Sequence, residues 1–256
     1  MKKTIDFKKY SSIHIGPKVC VEVIQEKKSL NGYMVIGKAN NLLVSPKPKK
    51  LAILGEEFDY ILIKNGKLIV GAATTSGKLL SFCRKNNIAN FEFLAKLPGT
   101  IGGLTKMNAG LKTWEIFNYI HSITTDKGVF LKDQIKYSYR YTSIDGIIYE
   151  VVFDLEYGFD KSMQDMFIKM RDNQPQLPSA GSCFKNPKEH SAGYLIEKVG
   201  LKGHTIGGMA FSSVHANFLV NTGNGTFDEA MKLIQYAQKK VKELFHIELE
   251  LEIQVV

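Results

Sequence analysis

Apolar residues recur at two periods along this chain, and the two periods mark out its strands and helices. Short runs dominate the first half. Residues 60–64 and 67–71 flank Asn65-Gly66, a two-residue hairpin signal because both residues tolerate positive φ. Residues 121–125 and 128–131 flank Asp126-Lys127-Gly128 and predict a second hairpin. Residues 147–157 form a long β-branched and aromatic run, as expected of a central strand. Helical spacing appears between and after them. Residues 76–86 place Leu79, Leu80 and Cys83 on one face, and residues 162–173 open with Ser162 and Asp165 as a capping pair and stop before Pro175. The clearest helix starts at Thr226, with Glu229 completing a capping box. In it Phe227, Ala230, Ile234, Ala237, Val241 and Leu244 advance by three or four residues to make one buried stripe. Residues 247–256 then alternate apolar with acidic or polar positions, which predicts a strand buried on one face. Together these elements predict an α+β fold with mixed or antiparallel sheets rather than a doubly wound parallel one. The pattern changes at Gly158-Phe159-Asp160, where the main domain boundary is expected.

Composition narrows the class of molecule. A chain of 256 residues, 44% hydrophobic and 23% charged, is long enough for more than one core. No apolar run approaches the roughly 18 residues of a membrane helix. Residues 1–10 are polar and basic, without the apolar stretch of a signal peptide, so a cytoplasmic location is expected. Three well-separated cysteines (Cys20, Cys83, Cys183) and six histidines lack metal-ligand spacing, so neither a disulfide framework nor a metal site is expected. The net charge of +9 favours anionic partners, either a phosphorylated small molecule or nucleic acid. A basic nucleotide- or RNA-binding module is therefore one function class to weigh. Against it, the lysines are scattered, and the tightest run (Lys47-Pro48-Lys49-Lys50) has no interleaved aromatic residues. Nucleic acid, membrane and an obligate protein partner are all expected to be absent from its function.

Several short segments carry candidate chemistry. Gly71-Ala-Ala-Thr-Thr-Ser-Gly77-Lys78 is a near miss for a P-loop: five residues separate the glycines, and Leu79 stands where the magnesium-binding hydroxyl belongs. It reads better as a strand running into a helix cap. Pro98-Gly-Thr-Ile-Gly-Gly103, followed by Met107-Asn-Ala-Gly110, makes two glycine-rich turns whose amides suit a pyrophosphate, yet the G-x-G-x-x-G fingerprint is absent. Val35-Ile-Gly-Lys-Ala-Asn-Asn-Leu-Leu-Val44 joins two apolar runs through a polar turn. Ala180-Gly-Ser-Cys-Phe-Lys-Asn-Pro187 puts a hydroxyl, a thiol, a cation and an amide on one loop, but no histidine at a recognisable spacing supports Cys183 as a nucleophile. Arg140 sits among tyrosines in Tyr137-Ser-Tyr-Arg-Tyr-Thr142. Glu248, Glu250 and Glu252 share one face of the final alternating run, and periodicity does not decide which of them, if any, enters a site.

As an ordered set from about residue 11 to 255, these segments resemble the UDP-N-acetylenolpyruvoylglucosamine reductase (MurB) family. The A-G-S-x-F-K-N-P and A-G-Y-L-I-E segments separate it from other flavin enzymes of the same binding fold. The short stretch between Tyr157 and Ser182 resembles the shorter members, which lack an inserted tyrosine-bearing loop. The resemblance implies non-covalent FAD in a two-subdomain region of the PCMH (vanillyl-alcohol-oxidase-like) type, residues 1–158, split near 48 and joined by the C-terminal strand 247–256. Residues 159–246 would form an α+β domain for the UDP-sugar. NADPH would be the reductant, and the product UDP-N-acetylmuramate, in peptidoglycan precursor synthesis. Carried over by motif, Arg140, Ser182 and Glu252 would be catalytic. Gly37, Ala39, Asn40, Asn41, Pro98, Gly99, Thr100, Gly102, Gly103, Asn108 and Gly110 would hold the cofactor, and Tyr139, Lys185, Asn186 and Asn217 the substrate. Ala39 stands where many members have glycine, and Asn173 where a lysine is common. Another FAD-dependent oxidoreductase of the same binding fold is the rival reading that keeps the flavin.

Overall fold

The computed structural model describes all 256 residues, which divide into two compact units. The first comprises Met1–Lys3, Val21–Gly37 and Lys50–Asp172; the second comprises Thr4–Cys20, Lys38–Lys49 and Asn173–Val256.

The first unit is built on a five-stranded antiparallel sheet. Its order is Gly128–Leu131, Ile120–Thr125, Ile148–Asp154, Lys67–Gly71, Ile61–Lys64. Both expected hairpins are present, and the β-branched run is the central strand. Asn65 and Gly66 have φ of 51° and 67°, as their turn requires. The helix Ser76–Lys85 buries Leu79 and Cys83 against this sheet's core, together with Phe91, Phe93 and Phe153. Thr75 caps it through its side chain, so the glycine-rich segment before it is a strand end and a helix cap, not a phosphate loop. Lys2–Asp6, Lys18–Ile24, Lys50–Leu54 and Tyr33–Ile36 form a four-stranded sheet in that order, the last three strands parallel.

The helix expected at 162–173 runs Lys161–Met170, and its cap is Asp160 rather than Ser162. Asp160 Oδ1 accepts from the amides of Ser162 (2.8 Å) and Met163 (3.2 Å), so the carboxylate outcompetes the hydroxyl for the first orphan donors. This helix buries Phe167 in the first core. For that reason the break between units falls after Asp172 rather than at 158.

The second unit holds a four-stranded antiparallel sheet of Ser179–Ser182, Phe218–Asn221, Met209–Phe211 and Thr205–Ile206. The helix Phe227–Phe245 packs on it with the expected capping box at Thr226 and Glu229. Its stripe is Ala230, Leu233, Ile234, Ala237 and Val241, whereas Leu244 is 60% exposed because the buried face has rotated away by the last turn. The final run keeps its alternation only in part: Leu249 and Ile253 are buried while Glu248 and Glu250 are exposed, but Val255 is exposed and Val256 buried, so the buried face switches at the end. Only Gln254–Val255 forms a ladder, parallel to Leu42–Leu43. Residues 38–49 group with the C-terminal unit.

Candidate active site

In the first unit the turn 98–103 leads into the short helix Ile101–Lys106. Its amides are partly spent inside the protein: Ile101 N donates to Thr74 O (2.8 Å), Gly102 N to Ala72 O (2.9 Å) and Gly103 N to Thr100 Oγ1 (3.3 Å). A Cβ on Gly102 would stand 2.9 Å from Ala72 Cβ, so glycine here serves close packing. Gly99, at φ 141°, and Thr100 precede that helix and take no part in these bonds through their amides. Gly37 lies against this turn; a Cβ there would meet Thr100 Oγ1 at 2.5 Å.

Asn108, Gly110 and Arg140 come together around Glu115. Arg140 Nη1 lies 3.6 Å from Glu115 Oε1, and its two terminal nitrogens donate to Asn108 O (3.4 Å) and Gly110 O (3.1 Å). Arg140 occupies the left-handed region at φ 54°, in the two-residue turn between Tyr137–Ser138 and Tyr141–Thr142. A non-glycine residue held there is strained, a cost that surrounding contacts must offset and that often marks a functional position. Its guanidinium also lies over the Tyr139 ring, 4.8 Å from the centroid. The Asn108 side chain is fully committed to the protein: Nδ2 donates to Glu115 Oε2 (2.8 Å) and Ser138 O (3.0 Å), and Oδ1 accepts from Phe117 N (3.3 Å). Its backbone is engaged as well: Asn108 N donates to Thr105 O (3.1 Å), and Asn108 O accepts from Arg140. Arg171, only 6% exposed, donates to Phe93 O (3.3 Å), while its Nε has no acceptor. Burial, and then the charge of Arg140, pull its pKa down to about 10.

In the second unit the turn after Gly37 is pinned by Ser12, whose hydroxyl donates to Asn40 O (3.3 Å). Ala39 is buried with φ 52°, so its Cβ is tolerated in left-handed backbone. Asn40 Oδ1 is a buried acceptor without a donor. Asn41 faces the C-terminal segment: its Nδ2 donates to Glu252 O (2.9 Å), and its carbonyl accepts from Gln254 N (2.9 Å).

Ser182 ends the strand Ser179–Ser182, paired with Phe218. Beyond it the chain runs antiparallel to the final segment through a bridge between Phe184 and Leu251. Lys185 N donates to Glu250 O (2.8 Å) and Glu252 N to Cys183 O (2.9 Å), so the Ser182 and Glu252 segments are direct backbone neighbours. The three glutamates separate clearly. Glu248 pairs with Lys242 and Glu250 with Lys185 at the surface, while Glu252 is half-buried. Asn186 Oδ1 accepts from Ala192 N (3.0 Å), at the start of the helix Ala192–Lys198. Asn217, expected to touch substrate, is buried, and its amide is taken up by the backbone of Phe184. Cys183 is fully buried, and burial followed by the charge of Glu252 pushes its thiol far up, which rules out a resting thiolate.

Known proteins share this architecture. The C-terminal domain of UDP-N-acetylenolpyruvoylglucosamine reductase, as a family model, matches residues 173–256. The Helicobacter hepaticus reductase is 44% identical across 98% of both chains. That of Campylobacter jejuni is 45% identical, across 98% of this chain and 99% of its own. The chain belongs to the UDP-N-acetylenolpyruvoylglucosamine reductase family. The crystal structure of MurB from Thermus caldophilus superposes with a TM-score of 0.88 at 27% identity, over 100% of this chain and 98% of that one. Membership in this reductase family makes the chain an oxidoreductase of peptidoglycan synthesis. No helix is long and apolar enough to cross a membrane.

Motif reading passed over three residues that the structure places beside the MurB motifs. Glu115 holds both Arg140 and Asn108, Arg171 lies within the field of Arg140, and His215 accepts the Asn217 amide (3.3 Å). Glu115 carried a faint signal, as a charged residue in an otherwise apolar stretch. The other two carried none.

Proposed function

We propose that this chain reduces UDP-N-acetylglucosamine enolpyruvate to UDP-N-acetylmuramate, with NADPH as reductant and non-covalent FAD in a PCMH-type binding region. The observation that supports this most is the register that puts Ser182 and Glu252 on neighbouring backbone segments, joined through the Cys183 carbonyl. The resemblance assigns catalytic roles to those two residues on independent grounds.

The orphaned acceptor Asn40 Oδ1, beside left-handed Ala39, fits a ligand rich in hydroxyl and N–H donors, as FAD is. Gly37, Ala39, Asn40, Asn41, Pro98, Gly99 and Thr100 would hold it, with Gly102, Gly103, Asn108 and Gly110 shaping the backbone around it. When bound, FAD supplies the hydride carrier between NADPH and the β-carbon of the enol ether.

The protein's own residues manage charge and protons. Hydride addition leaves negative charge on the α-carbon, delocalised into the adjacent carboxylate. Arg140, oriented by Glu115 and two backbone carbonyls, offsets that charge. Ser182 Oγ delivers a proton to the α-carbon; a hydroxyl is a weak acid and suffices only because this acceptor is strongly basic. Glu252 fixes the substrate and polarises its carboxylate. Tyr139, Lys185 and Asn186 contact the UDP-sugar.

The test is spectroscopic. NADPH should bleach the flavin of the FAD-loaded protein, and the enolpyruvyl substrate should restore it under anaerobic conditions. In Ser182→Ala the bleaching should persist while restoration becomes far slower. Turnover of Ser182→Ala at the wild-type rate would show the proton-donor role to be wrong, and a protein that takes up no flavin would remove the reading altogether.

A further inference from the structure

We infer that Asn217 is a positioning residue, which sets Ser182 relative to Glu252 without touching the reacting atoms. The inference rests on the role proposed above for Ser182.

Asn217 is 3% exposed and grips the chain just after Ser182 at three points. Its carbonyl accepts from Cys183 N (2.7 Å), its Oδ1 accepts from Phe184 N (3.0 Å), and its Nδ2 donates to Phe184 O (2.8 Å). The opposite edge of the same peptide is held by the final segment, because Cys183 O accepts from Glu252 N (2.9 Å). Cys183 is thus gripped by Asn217 on its amide side and by the Glu252 residue on its carbonyl side, immediately next to Ser182. Displacement of either grip moves the Ser182 hydroxyl relative to Glu252.

The clamp is itself anchored. Asn217 N donates to His215 Nδ1 (3.3 Å), and Ser212 Oγ accepts from the amides of Val214 (3.0 Å) and His215 (3.3 Å). Residues 212–217 therefore form a self-wired loop between the strands Met209–Phe211 and Phe218–Asn221. The residue type follows from the chemistry. Phe184 presents one donor and one acceptor to the same side chain, and a short planar amide answers both, whereas a carboxylate can answer only the donor.

An error of about 1 Å in the placement of a reacting group can cost about 100-fold in rate. Asn217→Ala should therefore lower kcat by about 100-fold with KM unchanged, and leave reduction of the flavin by NADPH intact. Asn217→Asp, isosteric and retaining the bond to Phe184 N, should move in the same direction and guards against misfolding of the alanine variant. Amide exchange at Cys183 and Phe184 should accelerate in both. The deciding measurement is a double-mutant cycle with Ser182→Ala in single turnover: if Asn217 acts through Ser182, its loss costs nothing further once the hydroxyl is gone. Multiplicative effects in that cycle, or a raised KM with kcat intact, overturn the positioning role while leaving the Ser182 assignment standing. Wild-type turnover by Ser182→Ala alone sinks that assignment, and the inference with it.

Discussion

Single residues matter here through the partners that hold them. Arg140 was conspicuous in the sequence as a cation among tyrosines, but nothing there indicated that Glu115 and two backbone carbonyls would orient it. Both members of the pair are largely shielded, at 15% and 17% side-chain exposure, so solvent screens their attraction only in part. Glu115→Gln keeps the shape and removes the charge. It should slow reoxidation of the flavin by substrate about tenfold, equivalent to about 1.4 kcal/mol, and leave its reduction by NADPH unchanged. Stopped-flow traces of the two half-reactions check this; equal slowing of both would refute it. His215 supplies a pH effect. Burial first, and the charge of Lys202 as well, hold its imidazole below the ordinary value of 6.5, against a hydrogen bond that raises it. The folded form thus stays neutral where the unfolded chain takes up a proton. Its contribution to stability is complete above that value and declines as pH falls through it toward the depressed native pKa. Denaturant midpoints between pH 7 and 5 should fall less steeply for His215→Gln than for the parent; identical slopes would remove His215 as a source.

Elements were legible where their signals are local. The helix Phe227–Phe245 begins where its capping box predicts, because a Thr and a Glu three residues apart satisfy the orphan amides without help from elsewhere. Thr226→Ala should cost about 1 kcal/mol. In a chain of this size that is a drop of about 2–4 °C in Tm by thermal unfolding. The capping pair Ser162 and Asp165 misplaced the start of the helix Lys161–Met170: Asp160 caps it, because a carboxylate accepts more strongly than a hydroxyl. The end of the long helix also escaped prediction. The stripe continues to Leu244 on paper, but the buried face has rotated by the last turn, where Phe245 rather than Leu244 packs on the core.

Across the whole molecule, the excess of +9 has a use consistent with the proposed substrate, which bears a diphosphate and a carboxylate. Scattered cations raise the local concentration of such an anion only over a Debye length, about 10 Å at 0.1 M salt. The KM for the UDP-sugar should therefore rise with ionic strength while kcat holds; a flat KM across that range would leave the charge without this role. The sequence by itself determined the mixed α and β content, both hairpins and the long capped helix, and its motifs singled out Arg140, Ser182 and Glu252 as candidates. Each of these depends on contacts within a few residues or on a motif read as a string. Only the tertiary structure decided that residues 38–49 belong with the C-terminal unit, that the Ser182 segment lies against Glu252, and that Asn217 serves the backbone. Periodicity states which face of a segment is buried. The partner that buries it, and the register in which they meet, are set by contacts between segments far apart in the chain.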